Sequence, residues 1–304
     1  MFPKAVDFAS VYKQRCNFAN INNHMPTVTF HKSVAEFMTV HEEFLERHYY
    51  LVYPLLELIR NAKKNNLKVS AAFSFQEADC LAVGIQAGPY LALYATEWNE
   101  PLLSLIEQTM PLQKMGGNIF FSGTYDLISA LLSRSGKEFK EISARNVYEC
   151  KRLAPGIILS DGACIRADVS DMDRIADLSF GFQQDEYGDR AQHDREYMLT
   201  HVVEPGIING SIVKWEVDDE VVSIAQVMID EENKPIIGHF FTDPGYRGRG
   251  YGTSLIWSVT NAILKDFEIC GLVTKLTNTA ANAIFRKVGY ELKYHWLKAS
   301  FVGK

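Results

Sequence analysis

Arg247-Gly248-Arg249-Gly250-Tyr251-Gly252 is the segment of this 304-residue chain best suited to chemistry. It follows a strand-like run, 235–242, and opens a helix-like run, 252–264. Glycines let a backbone approach a ligand closely and turn its N–H groups inward. A helix start adds N–H donors that lack intrahelical partners and the positive end of the peptide dipoles. The two arginines add charge at the mouth. The chemistry this pattern suits is the holding of an anionic phosphate group, as on a phosphorylated cofactor. The glycine spacing is not that of a dinucleotide-binding fold, and a strand meander rather than a βαβ unit precedes it. No lysine follows the loop as in a nucleotide triphosphatase.

The elements that must position this loop follow from periodicity. In the first half, helices are expected over 33–47, 54–64, 101–113 and 124–133, with Pro54 in a first helical turn. Strands are expected over 68–75, 80–86, 90–95, 118–121 and 145–153. A boundary is expected where Pro, Gly and Asp cluster between 154 and 162, giving domains 1–155 and 156–304. The second half begins with a strand at 164–167, a helix at 171–180 capped by Ser170 or Asp171, a polar loop at 181–189 and a helix at 194–203. Strands follow at 212–217, 221–229 and 236–242, then a helix, a strand at 271–276, a helix at 280–287 and strand structure over 290–301. Apart from a missing first strand, the first half repeats this order. The fold class is α/β (α+β): two tandem domains, each a mixed, mostly antiparallel sheet flanked by helices.

Composition narrows the function. The net charge of -6 argues against nucleic acid as the partner, because phosphate backbones select basic faces. Five cysteines (Cys16, Cys80, Cys150, Cys164, Cys270) form no C-x-x-C pair, so a disulfide framework or zinc ribbon is not expected and no metal is assigned. Free thiols in a reducing cytoplasm are the reading. The first twenty residues carry scattered charge and no apolar core of a signal peptide. The longest uncharged run, between Asp79 and Glu97, is broken by Gln86, Gly88 and Pro89, so no membrane partner is expected.

Three motifs together resemble the GNAT superfamily of acyl-CoA-dependent N-acyltransferases. The first is Asp243-Pro244-Gly245-Tyr246 followed by the loop above, with R-x-x-G-x-G spacing. The second is Asn278-Thr279-Ala280-Ala281-Asn282-Ala283-Ile284-Phe285-Arg286-Lys287-Val288-Gly289-Tyr290. The third is Ile165-Arg166-Ala167 followed by Asp171, Asp173, Ile175 and Leu178. The resemblance covers 165–301. The first half is read as a degenerate copy, whose equivalent junction, 95–100, has no glycine or arginine and two acids.

The resemblance implies an N-acetyltransferase that uses acetyl-CoA, with coenzyme A lying where two parallel central strands splay. It assigns cofactor binding to Phe240, Phe241 and Thr242 on one such strand. It adds Arg247, Gly248, Arg249, Gly250, Tyr251, Gly252 and Thr253 in the loop, and Asn278, Ala281, Phe285 and Lys287 in the later motif. Asn278 is alternatively an ordinary helix start, and Lys287 a favourable helix end. The acceptor is a primary amine of a small molecule or peptide, and the protein a monomer or homodimer. A general base on the same strand would be His239, otherwise a structural histidine. Glu216 is the rival, otherwise a solvated strand charge. Many relatives carry a proton-donating Tyr where this chain has Phe285. The thiolate then leaves unassisted, Tyr290 or Tyr294 substitutes, or the domain is a CoA-binding regulatory or scaffold protein without turnover. Acceptor contacts are expected from 181–188, with acids Asp185, Glu186 and the following Asp189 either attracting a cation or simply solvated. They are also expected from Tyr290, Tyr294 and Trp296, otherwise packing residues.

Overall fold

The computed structural model describes residues 26–188, 191 and 193–303. The chain forms two compact units: Met1–Asn146 with Tyr294–Lys304, and Val147–Lys293. Cys16 and Asp189 lie outside the described residues.

The first unit opens with β1 (Thr27–Phe30), then α1 (Val34–Val40), α2 (Glu42–Arg47) and α3 (Tyr49–Lys64). A meander follows: β2 (Val69–Glu77), β3 (Cys80–Ala87) and β4 (Tyr90–Ala95). Then come α4 (Glu100–Thr109), β5 (Phe120–Thr124), α5 (Tyr125–Arg134) and β6 (Phe139–Cys150). The strand missing from the sequence reading is β1, which pairs antiparallel with β2. The expected helix over 33–47 is two helices meeting at His41. Pro54 lies inside α3 rather than at its start, because Tyr49, Tyr50, Leu51 and Val52 are all buried and extend the helix backwards.

The second unit runs β7 (Ala163–Arg166), α6 (Met172–Tyr187), α7 (Arg195–Met198), a π turn (Leu199–Val203) and α8 (Glu204–Ile208). Next come β8 (Ile212–Val217), β9 (Glu220–Ile229), β10 (Pro235–Thr242), α9 (Tyr251–Ile263), β11 (Cys270–Lys275), α10 (Thr279–Val288) and β12 (Glu291–Phe301). The expected loop over 181–189 is helix as far as Tyr187. A Cβ on Gly181 would lie 2.8 Å from the Phe241 ring, so this glycine allows helix and strand to pack closely rather than breaking the helix.

Both units share one element order, three helices after the first strand and then β-β-β-α-β-α-β. Strands follow the order β1-β2-β3-β4-β5-β12 from the first unit's outer edge and β7-β8-β9-β10-β11-β6 from the second's. β6 and β12 each divide between the units, β6 giving 139–146 to the first and 147–150 to the second, β12 giving 291–293 to the second and 294–301 to the first. β1·β2, β2·β3, β3·β4, β5·β12, β7·β8, β8·β9 and β9·β10 pair antiparallel, while the equivalent pairs β4·β5 and β10·β11 are parallel. The strand that finishes the first unit is therefore the last of the chain. Its Leu297, Ala299 and Phe301 are buried in the core of Phe73, Leu93, Leu102, Phe121 and Leu131.

The division differs from the expected 155/156. The Pro- and Gly-containing run at 154–162 belongs inside the second unit, held by Ala154 N–H donating to Val288 C=O at 2.8 Å and by Ser160 N–H donating to Ser254 Oγ at 2.8 Å. Local composition marks a loop there but says nothing of which strand pairs with which.

Candidate functional site

Pairing between β10 and β11 holds at Ile236–Gly271 and Ile237–Leu272, yet β10 continues to Thr242. At the same place β10 bulges against β9, between Gly238 and Phe241, and His239 adopts φ 48°. Bulges terminate pairing and re-aim side chains. The two parallel strands thus part in the second unit. In the first unit the equivalent β4 and β5 stay registered from Tyr90–Phe120 to Leu93–Gly123. Thr124 Oγ1 also accepts from Ala95 N–H at 3.1 Å and donates to Ala95 C=O at 2.6 Å, closing the pair. With Asn99 capping α4 through Leu102 N–H, the equivalent junction of the first unit has neither the open strands nor a glycine loop.

Beside the parted strands lies a cavity of about 420 Å3. Of the sequence-derived residues, Phe240, Phe241, Thr242, Arg247, Gly248, Gly250, Tyr251, Gly252, Thr253, Asn278, Ala281 and Lys287 line it. Arg249 and Phe285 do not. Arg249 donates to Gly245 C=O at 3.3 Å and lies over the Tyr246 ring. Phe285 is core, packed on Tyr148, Phe240 and Tyr290.

The loop is built for close approach. Gly250 is left-handed at φ 86°, and a Cβ there would lie 2.6 Å from Ser160 Oγ. That hydroxyl donates to Arg249 C=O at 2.9 Å, pinning the turn from a segment read only as linker. A Cβ on Gly252 would meet Thr242 Oγ1 at 2.8 Å and Phe240 at 2.9 Å, so α9 starts directly against β10. Arg247 donates to Thr242 C=O at 3.0 Å and Asp185 Oδ2 at 2.6 Å. Asp243 accepts from Gly245 N–H at 2.8 Å and Arg174 Nη2 at 2.7 Å. Burial opposes the charge of that carboxylate, but these donors hold its pKa below the usual range. Asn278 caps α10, its Oδ1 accepting from Ala281 N–H at 3.1 Å, and so serves the helix while facing the cavity.

The two expected bases fare differently from the loop. His239 is not a cavity wall. Its ring packs 4.4 Å from that of Phe182, and its Nε2 is buried with no hydrogen-bond partner. Burial lowers its pKa to about 4, so the imidazole is neutral at physiological pH. Glu216 is partly exposed and lies outside the cavity walls, paired with Lys214, whose Nζ is 2.5 Å from its Oε2 and 2.7 Å from Asp171 Oδ1. Asp171 does not cap α6 with its side chain but accepts this lysine and Asp168 N–H instead.

The substitute acids are committed elsewhere. Tyr290 OH is within hydrogen-bond distance of Thr260 Oγ1 at 2.8 Å and donates to Cys270 Sγ at 3.3 Å, and burial raises its pKa well above the ordinary value. Tyr294 OH is 2.7 Å from His48 Nδ1, and Trp296 Nε1–H donates to Tyr94 OH at 2.8 Å, all within the first unit. The cavity walls that sequence reasoning left unassigned include Tyr246, Ala280 and Ile284, while Phe182 falls in the stretch 181–188 from which acceptor contacts are expected. The aromatic in the proline-glycine turn and the α10 face spacing of Ala280, Ala281 and Ile284 were the available signals.

Residues 170–290 match the profile of the acetyltransferase (GNAT) family. No curated protein matches the chain significantly. Among solved structures, a GNAT-family acetyltransferase from Colwellia psychrerythraea is similar over 91% of this chain and 100% of its own, with TM-score 0.53 and 13% identity. A GCN5-related N-acetyltransferase from Sphaerobacter thermophilus is similar over 77% of this chain and 81% of its own, with TM-score 0.48 and 12% identity. A tandem GNAT protein from the clavulanic acid biosynthesis pathway covers 77% and 83%, with TM-score 0.41 and 7% identity. The parted strands, the glycine loop at the head of α9 and the family profile fall on the same stretch of chain, and residues 170–290 are a domain of the acetyltransferase (GNAT) family.

Proposed function

We propose that the second unit transfers acetyl from acetyl-CoA to a primary amine of a small molecule or peptide by direct attack. The observation that carries this reading is the glycine loop opening α9 where β10 and β11 part. The residues fit coenzyme A: the loop has no Cβ at three positions, α9 presents its N-terminus, and Arg247 and Lys287 bring positive charge to the cavity. When bound, acetyl-CoA supplies an activated carbonyl carbon. The chain supplies N–H groups of the loop and of α9 to hold the diphosphate, and those of β10 beyond the bulge to hold the pantetheine arm and polarise the carbonyl. One such donor is worth roughly 2.7–4 kcal/mol in an acyl-transfer transition state. Cys80, Cys150, Cys164 and Cys270 are free, which suits a reducing cytoplasm, and no helix among the described residues is long and apolar enough to cross a membrane.

Phe285 favours a second reading, a CoA-binding protein without turnover, because the buried aromatic at that position has no proton to give. Calorimetry with coenzyme A followed by thiol release from acetyl-CoA across an amine panel separates the readings. Binding with release above the spontaneous rate supports transfer. Binding without release supports the second reading. No heat and no thermal shift overturns both.

A further inference from the structure

We propose that Glu186 is the carboxylate that receives the acceptor amine and takes its proton, an assignment that rests on the acyl-transfer reading. Three acids follow Gly181 in sequence, and the structure separates the two it describes. Asp185 is exposed and holds Arg247 Nη2 at 2.6 Å. Glu186 is 8% exposed and forms a wall of the cavity. It reaches that position because α6 continues past Gly181 along the Phe241 ring.

The carboxylate stands where the strands part. Phe240 and Phe241 of β10 share the cavity with it, and Lys275 Nζ at the end of β11 lies 3.9 Å from its Oε2. Phe182, Ala281 and Ile284 make the surrounding wall apolar. A fixed negative charge against such a wall attracts an ammonium far more strongly than one in water does. The other titratable or charged groups near this region are the Asp185–Arg247 pair, Lys275 with the Tyr187 ring beneath its Nζ, Lys287, Tyr246 and Tyr251, with neutral His239 packed against Phe182. Glu186 is the carboxylate among them that is both buried and on the cavity.

In the step so assigned, the amine nitrogen bonds to the acyl carbon as the carbon–sulfur bond breaks, sulfur leaving as thiolate. The acceptor, drawn in as an ammonium, first gives one proton to the Glu186 carboxylate, which passes it to solvent and so frees the nitrogen lone pair for attack. The second proton, left on nitrogen once it has bonded to carbon, follows the same route or is taken by the departing thiolate. Nothing is oxidised or reduced.

The test uses the full chain with Glu186→Gln and Glu186→Asp, and the amines phenethylamine, spermidine and a lysine-containing tetrapeptide. Coenzyme A affinity, measured by calorimetry, should stay within about twofold in both variants, which also reports folding. Binding of the best amine to protein saturated with coenzyme A, where no turnover occurs, should weaken about tenfold or more in Glu186→Gln. Its kcat should fall by roughly 10²–10⁴, the range for a lost general base. Its kcat/KM should lose the acidic limb of the pH profile, and Glu186→Asp should restore part of both. Unchanged amine affinity and pH profile in Glu186→Gln overturn the assignment alone, as does a loss of coenzyme A affinity in that variant. A wild-type protein that binds coenzyme A but acetylates none of the amines overturns the transfer reading and this assignment with it.

Discussion

Replacing Gly250 by Ala tests the loop quantitatively. Gly250 sits at φ 86°, ψ -5°, where an L-residue costs about 1–2 kcal/mol. The new Cβ would also lie 2.6 Å from Ser160 Oγ but 4.0 Å from Ser160 Cβ, so only the hydroxyl conflicts. Turning that hydroxyl away breaks its bond to Arg249 C=O, a further loss of about 0.5–1.5 kcal/mol. The total is roughly 1.5–3.5 kcal/mol. If the free loop stays strained, all of it appears as lost folding stability. If the loop relaxes, the part recovered must be returned on binding and appears as lost affinity. The sum of the two losses is therefore the predicted quantity, read by urea unfolding and by calorimetry with coenzyme A. In a Ser160→Ala background the hydroxyl conflict is gone, and the sum for Gly250→Ala should fall to the conformational part, about 1–2 kcal/mol. A sum near zero, or one identical in the two backgrounds, would refute the geometry argued for this turn.

Two other outcomes are expected. His239 is held neutral by burial with a pKa of about 4, whereas the unfolded histidine takes up a proton near pH 6.5. Its contribution is complete above pH 6.5 and is lost as pH falls towards 4, by at most roughly 3 kcal/mol. His31, His41 and His48 are also lowered by burial in the first unit, so the readout is the difference between wild-type and His239→Asn pH–stability curves, and parallel curves would contradict it. Phe301→Ala should destabilise by about 3–5 kcal/mol, as for other fully buried phenylalanines. Hydrogen exchange should place the lost protection on β4, β5 and α5, and loss confined to 147–293 would contradict the strand assignment.

The second unit's loop was legible because glycine spacing between a strand and a helix is a local pattern with a local cause. The parting of β10 from β11 was foreseen only through family resemblance, since it depends on register. Gly181 misled because a glycine after an apolar run signals a helix end by propensity, while here its missing Cβ admits Phe241. Ser160 was passed over for the same reason: a loop residue's partner, the carbonyl of Arg249, lies far along the chain. His239 has a suitable pKa by residue type, and only burial shows the ring turned into packing. β1 has the alternation of a strand in Thr27-Val28-Thr29-Phe30, but four residues give too little period to read. That 294–304 completes the first unit is a pairing choice with no trace in local composition.

That final strand sets a condition on biosynthesis. Residues 26–146 leave the ribosome with a parallel sheet edge at β5 and a core that still lacks Leu297, Ala299 and Phe301. At typical elongation rates of about 5–20 residues per second, that edge waits roughly 7–30 s for its closing strand. During the wait it is a surface for chaperones or for another nascent chain. A premature stop or bulky fusion near the C-terminus should thus injure the part of the protein that was translated first.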